Sequence, residues 1–492
     1  MTVWQFRENL SDRQAAEAVR ARMDWKYLLG LEFTDPGGDY SVLSEFRARV
    51  SPGEASERLL EKLLTRCQAP GLLQAGGRQR TEATPVLAAV RVLNRLELVA
   101  ETLRAALNAV AAAEPAWLTR HAPQSWSQRD SRRIEYSRRP SSETERQTKT
   151  PMSGADGLCF LAWLDEPDVP AHLRELPEVH TLRRVWQRHD RREPTDHNED
   201  DSPGTVRFTT PEERADNQDL IETPDDGEAR SRHKRGLHWI GSTVPLSETC
   251  DEEQVHLIPH VNTTPAKMAE ARCTDAIQRA LVASGRAPKM PLADAGDMAA
   301  DLRGRSETPH GIRLVGPVRD SARWHHHVDG AYGLEPFTID WAAHRAYCPQ
   351  GHRSASWYPF QHAKGHHYLR VTFAKEDCAG CPPRARCPRA KTPPRSLQLP
   401  PQPQQEAIDR MRADLESEEG RQLYATRAGI EGTLSQGVRG CGLRHSRDIG
   451  LAKTHFQQGA SAAALNFDRL AAWFMPRPRA QTRVARFAAL VA

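Results

Sequence analysis

The hydrophobic period changes near Gly236, and this change constrains the fold more than any other feature of the 492-residue chain. Upstream of it, apolar residues recur mainly at helical spacing. Downstream, Gly236 to Cys250 and Val255 to Val261 read as strands, and Pro265 to Ser284 as a helix. Pro288 to Asp294 and Ile312 to Val318 read as further strands. Strand, strand, helix, strand, helix, strand is an α/β order. The length suits two to four domains with enough core to fold without disulfides.

The upstream helices begin early. Ser11 with Gln14 is a capping-box pair, followed by Ala15, Ala16, Val19 and Met23 at helical spacing. Trp25 to Leu31 stops at the Asp35-Pro36-Gly37-Gly38 turn. Ser41 is expected to cap a helix with Val42, Leu43 and Phe46 inward and Arg47 and Arg49 outward; Leu59, Leu60, Leu63 and Leu64 mark another. Such helices suit a helix-turn-helix-like DNA module and suit a small helical packing unit equally. Val3, Trp4 and Phe6 already join an apolar pattern, so a natural start further upstream is expected. Gly76 to Thr84 reads as a short strand or turn, and Pro85 to Leu107 as a long amphipathic helix. Trp126 to Ser153 reads as a linker or solvated helix, Pro177 to Arg188 as a helix, and His189 to Gly236 as a loose charged stretch. A β-rich segment with four Cys runs from Phe337 to Leu399. Two helices, Glu406 to Leu434 and Leu451 to Phe474, close the chain.

Charge excludes little, because the net value is only +4. Arg clusters at 129–139, 183–192, 384–395 and 439–447 suit phosphate binding, and suit solvated faces as well. The longest apolar run, Leu158 to Leu164, is far below the about 18 residues needed to span a bilayer. The first residues lack a basic stretch followed by an apolar one. Neither a membrane protein nor an exported one is expected. Nine Cys, an odd number, then favour reduced thiols or a metal site over disulfides.

Three constellations carry chemistry. Tyr424, Arg427 and Glu431 stand at i, i+3 and i+7, one face of a helix, where they can serve a metal and a phosphate or form a surface ion pair. Asp294 falls where a strand meets a turn, the place where ligands gather in open α/β sheets; a helix N-cap is the alternative. Cys348, Cys378, Cys381 and Cys387 have the spacing C-x29-C-x2-C-x5-C, which suits a structural Zn2+ or four unliganded thiols. His352 could replace one ligand. His325-His326-His327 reads as a solvated loop. Cys67, Cys159, Cys250, Cys273 and Cys441 read as packing residues.

The segments Gly76 to Leu107, Pro291 to Leu302 and Tyr424 to Leu451 resemble those of bacterial insertion-sequence transposases of the DDE type, in a subgroup with a helical N-terminal domain and a Cys-bearing insertion. The resemblance runs from Phe6 to about Pro476. It implies an α/β ribonuclease-H-like core with an all-α N-terminal region and a small β-rich, zinc-binding insertion. It also implies a catalytic carboxylate trio of Glu82, Asp294 and Glu431 holding Mg2+ or Mn2+, and cleavage and strand transfer at terminal inverted repeats. The family has Asp where this chain has Glu82. Tyr424 and Arg427 match the family's Tyr-x-x-Arg-x-x-x-Glu signature; with Arg439, Arg444 and Arg447 they are expected to contact DNA. Implied partners are double-stranded DNA and further copies of the chain on it, in the bacterial cytoplasm at the nucleoid. A repurposed copy that binds DNA without catalysis is the competing expectation. The expected divisions are 1–70 helical and DNA-binding, 71–125 first catalytic strand and long helix, and 126–236 polar insertion. Core strands and helices follow at 237–335, the Cys-bearing β insertion at 336–402, the C-terminal helices at 403–476 and a tail at 477–492.

Overall fold

A computed structural model describes residues 1–53, 57–90, 93–126, 143–192, 206–208, 220–234, 236–268, 270–293, 312–317, 330–361, 367–387 and 394–475. It is a mixed α/β protein whose largest sheet, of six strands, carries the candidate site.

The central strand β1 spans Arg78–Leu87. On one side it pairs antiparallel with β3 (Leu237–Thr249), which in turn pairs with β2 (Arg230–Lys234) and with the short strands β4 (His260–Val261) and β5 (Thr264–Pro265). On its other side β1 pairs parallel with β6 (Met290–Leu292). Val315 bridges onward from Leu292 in parallel. The helix joining the short strands to β6 is Glu270–Ala283. The expected strand–strand–helix–strand order therefore holds with shorter elements: of Val255 to Val261 only His260 and Val261 are strand, Pro265 is in β5, and the helix is confined to Glu270–Ala283. Ile312 to Val318 contributes a single bridge in its described part. Two residues shape this sheet. Pro245 lacks an N–H, and the neighbouring strand is interrupted at Asn262 and Thr263, opposite Pro245 and Val244. At Gly241 (φ 150°) a Cβ would collide with the backbone at Val86, so only glycine lets β3 approach the end of β1.

The expected helix from Pro85 is corrected. Pro85 to Leu87 stay in β1, because Val86 is fully buried in the core beneath the sheet. Helix α6 starts only at Arg95 and runs to Ala113, restarted by Asn94, whose side chain caps the Glu97 N–H while Glu97 caps Asn94 in return. It belongs to a separate helical unit with α7 (Pro115–His121), α8 (Glu143–Leu164) and α9 (Pro177–His189). That unit has its own core of Val99, Leu103, Phe160, Leu164, Leu173, Leu182 and Trp186. The polar reading of Trp126 to Ser153 is thus corrected at Trp126, which is buried and stacked on Trp163 at 5.2 Å. Gly157 leaves room for the Trp186 indole, which donates to the Gly154 carbonyl at 2.9 Å.

The N-terminal helices are α1 (Thr2–Arg7), α2 (Asp12–Ala21), α3 (Met23–Leu29), α4 (Ser41–Val50) and α5 (Arg58–Gln68). The Ser11–Gln14 capping box forms as expected. Ser41, expected as a cap, is instead the first residue of α4, and the Asp39 carboxylate accepts its N–H at 2.8 Å. Arg47, expected outward, is buried because Asp12 and Asp448 pair with it, and Val42, expected inward, is exposed. Cys159, expected to pack, is exposed.

At the C-terminal end, the expected helix Glu406 to Leu434 is divided into α10 (Gln402–Glu416), α11 (Glu418–Ala425) and α12 (Gly429–Cys441). Ser417 breaks the first junction by leaving helical geometry (ψ 149°) and capping Gly420 with its hydroxyl. The last helix, α13 (Leu451–Phe474), is buried along its middle. Its small residues Gly459 to Ala464 let α1, α5 and α12 pack close around it. Phe6 and Phe456 share one core with Ala460, and Leu64, Val86, Leu246, Ile430 and Leu465 share another, which joins the N-terminal helices, the sheet and the C-terminal helices.

Polar groups on α13 fix the backbone around it. The Asn466 amide accepts the Ile258 N–H at 2.7 Å and donates to the Ile258 carbonyl at 3.0 Å. Asn466→Ala should leave both buried backbone groups unsatisfied and destabilise the protein by about 2–4 kcal/mol. The check is a fall in denaturant midpoint at unchanged slope; a shift below about 0.5 kcal/mol would show that the amide is dispensable.

Candidate active site at strand β1 and helix α12

Glu82 lies midway along β1, opposite Leu246 of β3. It is half-buried, and its carboxylate pairs with the Arg427 guanidinium. The parallel neighbour β6 ends at Leu292, which pairs with Arg80. Asp294, two residues further on, lies outside the described residues, as does His325-His326-His327.

Tyr424, Arg427 and Glu431 do not share one α-helix, which corrects the reading from spacing. Tyr424 lies in the last turn of α11, Arg427 in a 3-10 turn over Thr426–Ala428, and Glu431 in the first turn of α12. A 3-10 turn winds the chain more tightly than an α-helix, so a strict 3.6-residue face is not kept. Arg427 turns into β1, while Glu431 is exposed. The turn is clamped from β1: Arg80 Nη1 donates to the Thr426 carbonyl at 2.6 Å. The same guanidinium lies against Gly429, where a Cβ would collide with it. Glycine at the start of α12 is therefore a condition for Arg80 to reach the turn.

Arg80 also holds a residue that the sequence reasoning missed. Its Nε donates to Glu248 at 2.6 Å, and Glu248 is only 1% exposed on β3. Arg469 of α13 pairs with the same carboxylate at 2.6 Å, and Thr433 of α12 donates to it at 2.6 Å. Burial pulls the pKa of Arg469 down, with Glu248 opposing that shift. The available signal was a lone carboxylate in strand β3, whose other residues carry no charge save His238, on the neighbour of a strand carrying Arg80.

The chain after α12 is fastened to the end of β1. Gly442 turns it in the left-handed conformation (φ 66°). The Leu87 N–H donates to the Arg444 carbonyl at 2.8 Å, and the Ser446 N–H to the Leu87 carbonyl at 2.9 Å. Arg444 is exposed, and its Nε reaches Thr84 at 3.2 Å; Arg439 is exposed on the last turn of α12. Arg447 faces inward instead. It donates to the Leu10 carbonyl at 2.5 Å and to Asn9 at 2.6 Å, and lies 4.7 Å over the Phe6 ring. Burial lowers its pKa. Arg447 thus ties the N-terminal helices to the site loop.

The Cys-bearing segment forms a three-stranded antiparallel sheet, β7 (Ser354–Gln361), β8 (His367–Phe373) and β9 (Ser396–Leu399). Cys348, Cys378, Cys381 and Cys387 line one cavity of about 20 Å3 together with Arg384 and Arg395. The Arg395 N–H donates to Cys378 Sγ at 3.4 Å. Burial pushes the Cys381 and Cys387 thiols up, and the neighbouring thiols add to this. His352 lies 3.6 Å from Asp377. Four soft sulfur donors beside two guanidiniums have the chemistry of a zinc site, whose tetrathiolate form is a dianion. The thiols share the cavity without making a ready site: among the described residues, no three or more His, Cys, Asp or Glu are grouped to hold a metal ion. The same statement covers Glu82 and Glu431, whose hard oxygens suit Mg2+ or Mn2+.

Two family models match the chain. A transposase DDE domain matches residues 347–471, and a transposase domain (DUF772) matches residues 1–49. The first match includes the four clustered Cys, Tyr424, Arg427 and Glu431; the second covers the helices α1 to α3 and most of α4. No curated protein and no solved structure matches the chain. No helix among the described residues is long and apolar enough to cross a membrane. Two independent matches of the same kind, at ends of the chain that share a core around α13, support its assignment to the insertion-sequence DDE transposases.

Proposed function

We propose that the protein cuts DNA at the terminal inverted repeats of a mobile element and joins it to a target, acting from a ribonuclease-H-like domain. The observation that carries this reading is the order of elements around Glu82: an antiparallel strand on one side, a parallel strand leading to Asp294 on the other, and α12 with Glu431 locked across β1 by Arg80 and Glu248. Glu82, Asp294 and Glu431 would hold two divalent ions, Mg2+ or Mn2+, which together supply activation of the attacking oxygen and neutralisation of the leaving one. Arg427 orients Glu82; Arg444, whose Nε reaches Thr84 of the same strand, and Arg439 on the last turn of α12 offer exposed guanidiniums for DNA phosphates. Copies of the chain assemble on the DNA in the cytoplasm. The four Cys would hold a structural Zn2+, which would supply folding stability to this segment.

One observation favours the non-catalytic alternative. Glu82 is one methylene longer than Asp, and its carboxylate is already paired with Arg427. An error near 1 Å costs about 10²-fold in rate, or about 2.7 kcal/mol of barrier. Weak Mg2+-dependent cleavage of a labelled repeat-end duplex is therefore expected, with a rise on Glu82→Asp and loss on Asp294→Ala. Cleavage that survives Asp294→Ala would overturn the carboxylate assignment. Robust cleavage by the unaltered chain would overturn the alternative.

For the Cys cavity, elemental analysis should find about one Zn2+ per chain. Replacing Cys378 and Cys381 by Ser should release it and make the 336–402 segment protease-sensitive, because structural zinc contributes directly to folding. A metal-free protein with a resistant segment would refute the site.

A further inference from the structure

Beside the Cys cavity, and sharing no lining residue with it, the insertion carries a second hollow of about 250 Å3. Its walls include Trp341, His344, Trp357, His367 and Pro401. Trp341 meets Trp357 edge-on at 5.6 Å, and the His344 ring lies nearly parallel to Trp357 at 5.9 Å. The insertion's buried core consists of Phe337, Ala346, Val371, Phe373, Leu397 and Leu399; Trp341 and Trp357 pack against its edge while also lining the hollow. The two Trp are only half-buried and His344 is exposed. Tyr368, which also lines the hollow, stacks on Phe360 at 5.8 Å, and the Arg370 guanidinium lies 4.4 Å over Phe360. An aromatic band thus continues from the hollow along β7 and β8.

The charge the insertion exposes is one-sided. Among the described residues from Phe337 to Leu399, Arg345, Arg353, Arg370, Lys375 and Arg386 are exposed, against Glu376 of the acids. Aromatic faces in a basic setting are the combination that holds single-stranded nucleic acid: the rings stack on bases and the cations meet the backbone phosphates. A paired base presents no free face to such a pocket.

We propose that this hollow takes a nucleobase of an unpaired DNA strand, stacked against Trp357 and His344, with the basic surface of the insertion meeting the strand's phosphates. The inference rests on the DNA-processing reading above and adds to it a strand-state preference located outside the carboxylate site.

The test compares the full chain with two variants, Trp357→Leu and His344→Asn. The second is the safeguard for folding, since His344 is exposed and its positive φ (51°) is one that Asn tolerates. Binding is read by anisotropy of a labelled short single strand, of the same strand with abasic spacers, and of a mixed-sequence duplex. Both variants should lose about fivefold or more in affinity for the single strand, with duplex affinity unchanged within about twofold. The unaltered protein should lose a similar factor on the abasic strand. Equal affinity for the base-bearing and abasic strands, or a His344→Asn variant that binds the single strand as the parent does, would overturn the proposal while duplex binding persists. Failure of the unaltered chain to bind any of the three would overturn both this inference and the DNA-processing reading.

Discussion

The buried carboxylate of Glu248 is the interaction on which the rest of the architecture depends. It is almost wholly removed from water, and it accepts from Arg80 of β1, Thr433 of α12 and Arg469 of α13. Three elements distant in sequence therefore meet at one charge. Burying ions costs desolvation that their attraction only roughly repays, so such a cluster adds little net stability over an apolar substitute of equal shape. Removing one partner is different, because it strands a buried charge at a cost of about 3–5 kcal/mol. The cluster thus penalises wrong arrangements more than it rewards the right one. Its consequence is geometric. Arg80 is two residues from Glu82, and Thr433 is two residues from Glu431, so the position of one acidic side chain relative to the other is set through Glu248.

A second layer of polar contacts extends this fixation to both ends of the chain. Gln457 and Gln458 of α13 donate to the carbonyls of His445 and Leu443, holding the loop that bridges to β1. Arg447 in that loop grips the chain between α1 and α2, and Arg47 of α4 pairs with both Asp12 and Asp448. The N-terminal helices are consequently part of the framework of the site. A DNA-recognition role for them has to use surfaces that this packing leaves outward, such as the exposed Tyr27 and Phe33.

Much of this was legible in the sequence wherever local chemistry decides the structure. The Ser11–Gln14 box and the 13-residue strand Leu237–Thr249 appear where patterning puts them. Errors arose where tertiary contacts override a local pattern. Pro85, Val86 and Leu87 continue a helical-looking apolar series, yet pairing with Thr243, Ser242 and Gly241 keeps them in the sheet. Trp126 sits at the edge of an Arg-rich stretch, and only its stacking partner Trp163, 37 positions away, shows why it is buried. Arg447 looked like its neighbours Arg439 and Arg444 because charge says nothing of direction. Glu248 was invisible for the converse reason. A single carboxylate in a strand has no motif, and its three partners come from positions 80, 433 and 469.

The pairing of Glu82 with Arg427 links these points to chemistry. A half-buried carboxylate needs a compensating positive charge, and the Arg427 guanidinium supplies it to Glu82. The same residue is a phosphate ligand by type, since a planar guanidinium binds carboxylate and phosphate oxygens in the same bidentate fashion. Arg427 therefore stands between two demands, the carboxylate that a metal would take over and the phosphate that DNA would bring. The 3-10 turn gives it a backbone held by Arg80 at Thr426, so exchange of partners requires motion of the side chain and leaves the helix in place. Glu reaches further toward Arg427 than Asp would from the same strand position, so the longer acid at position 82 favours the ion pair that a metal would have to displace.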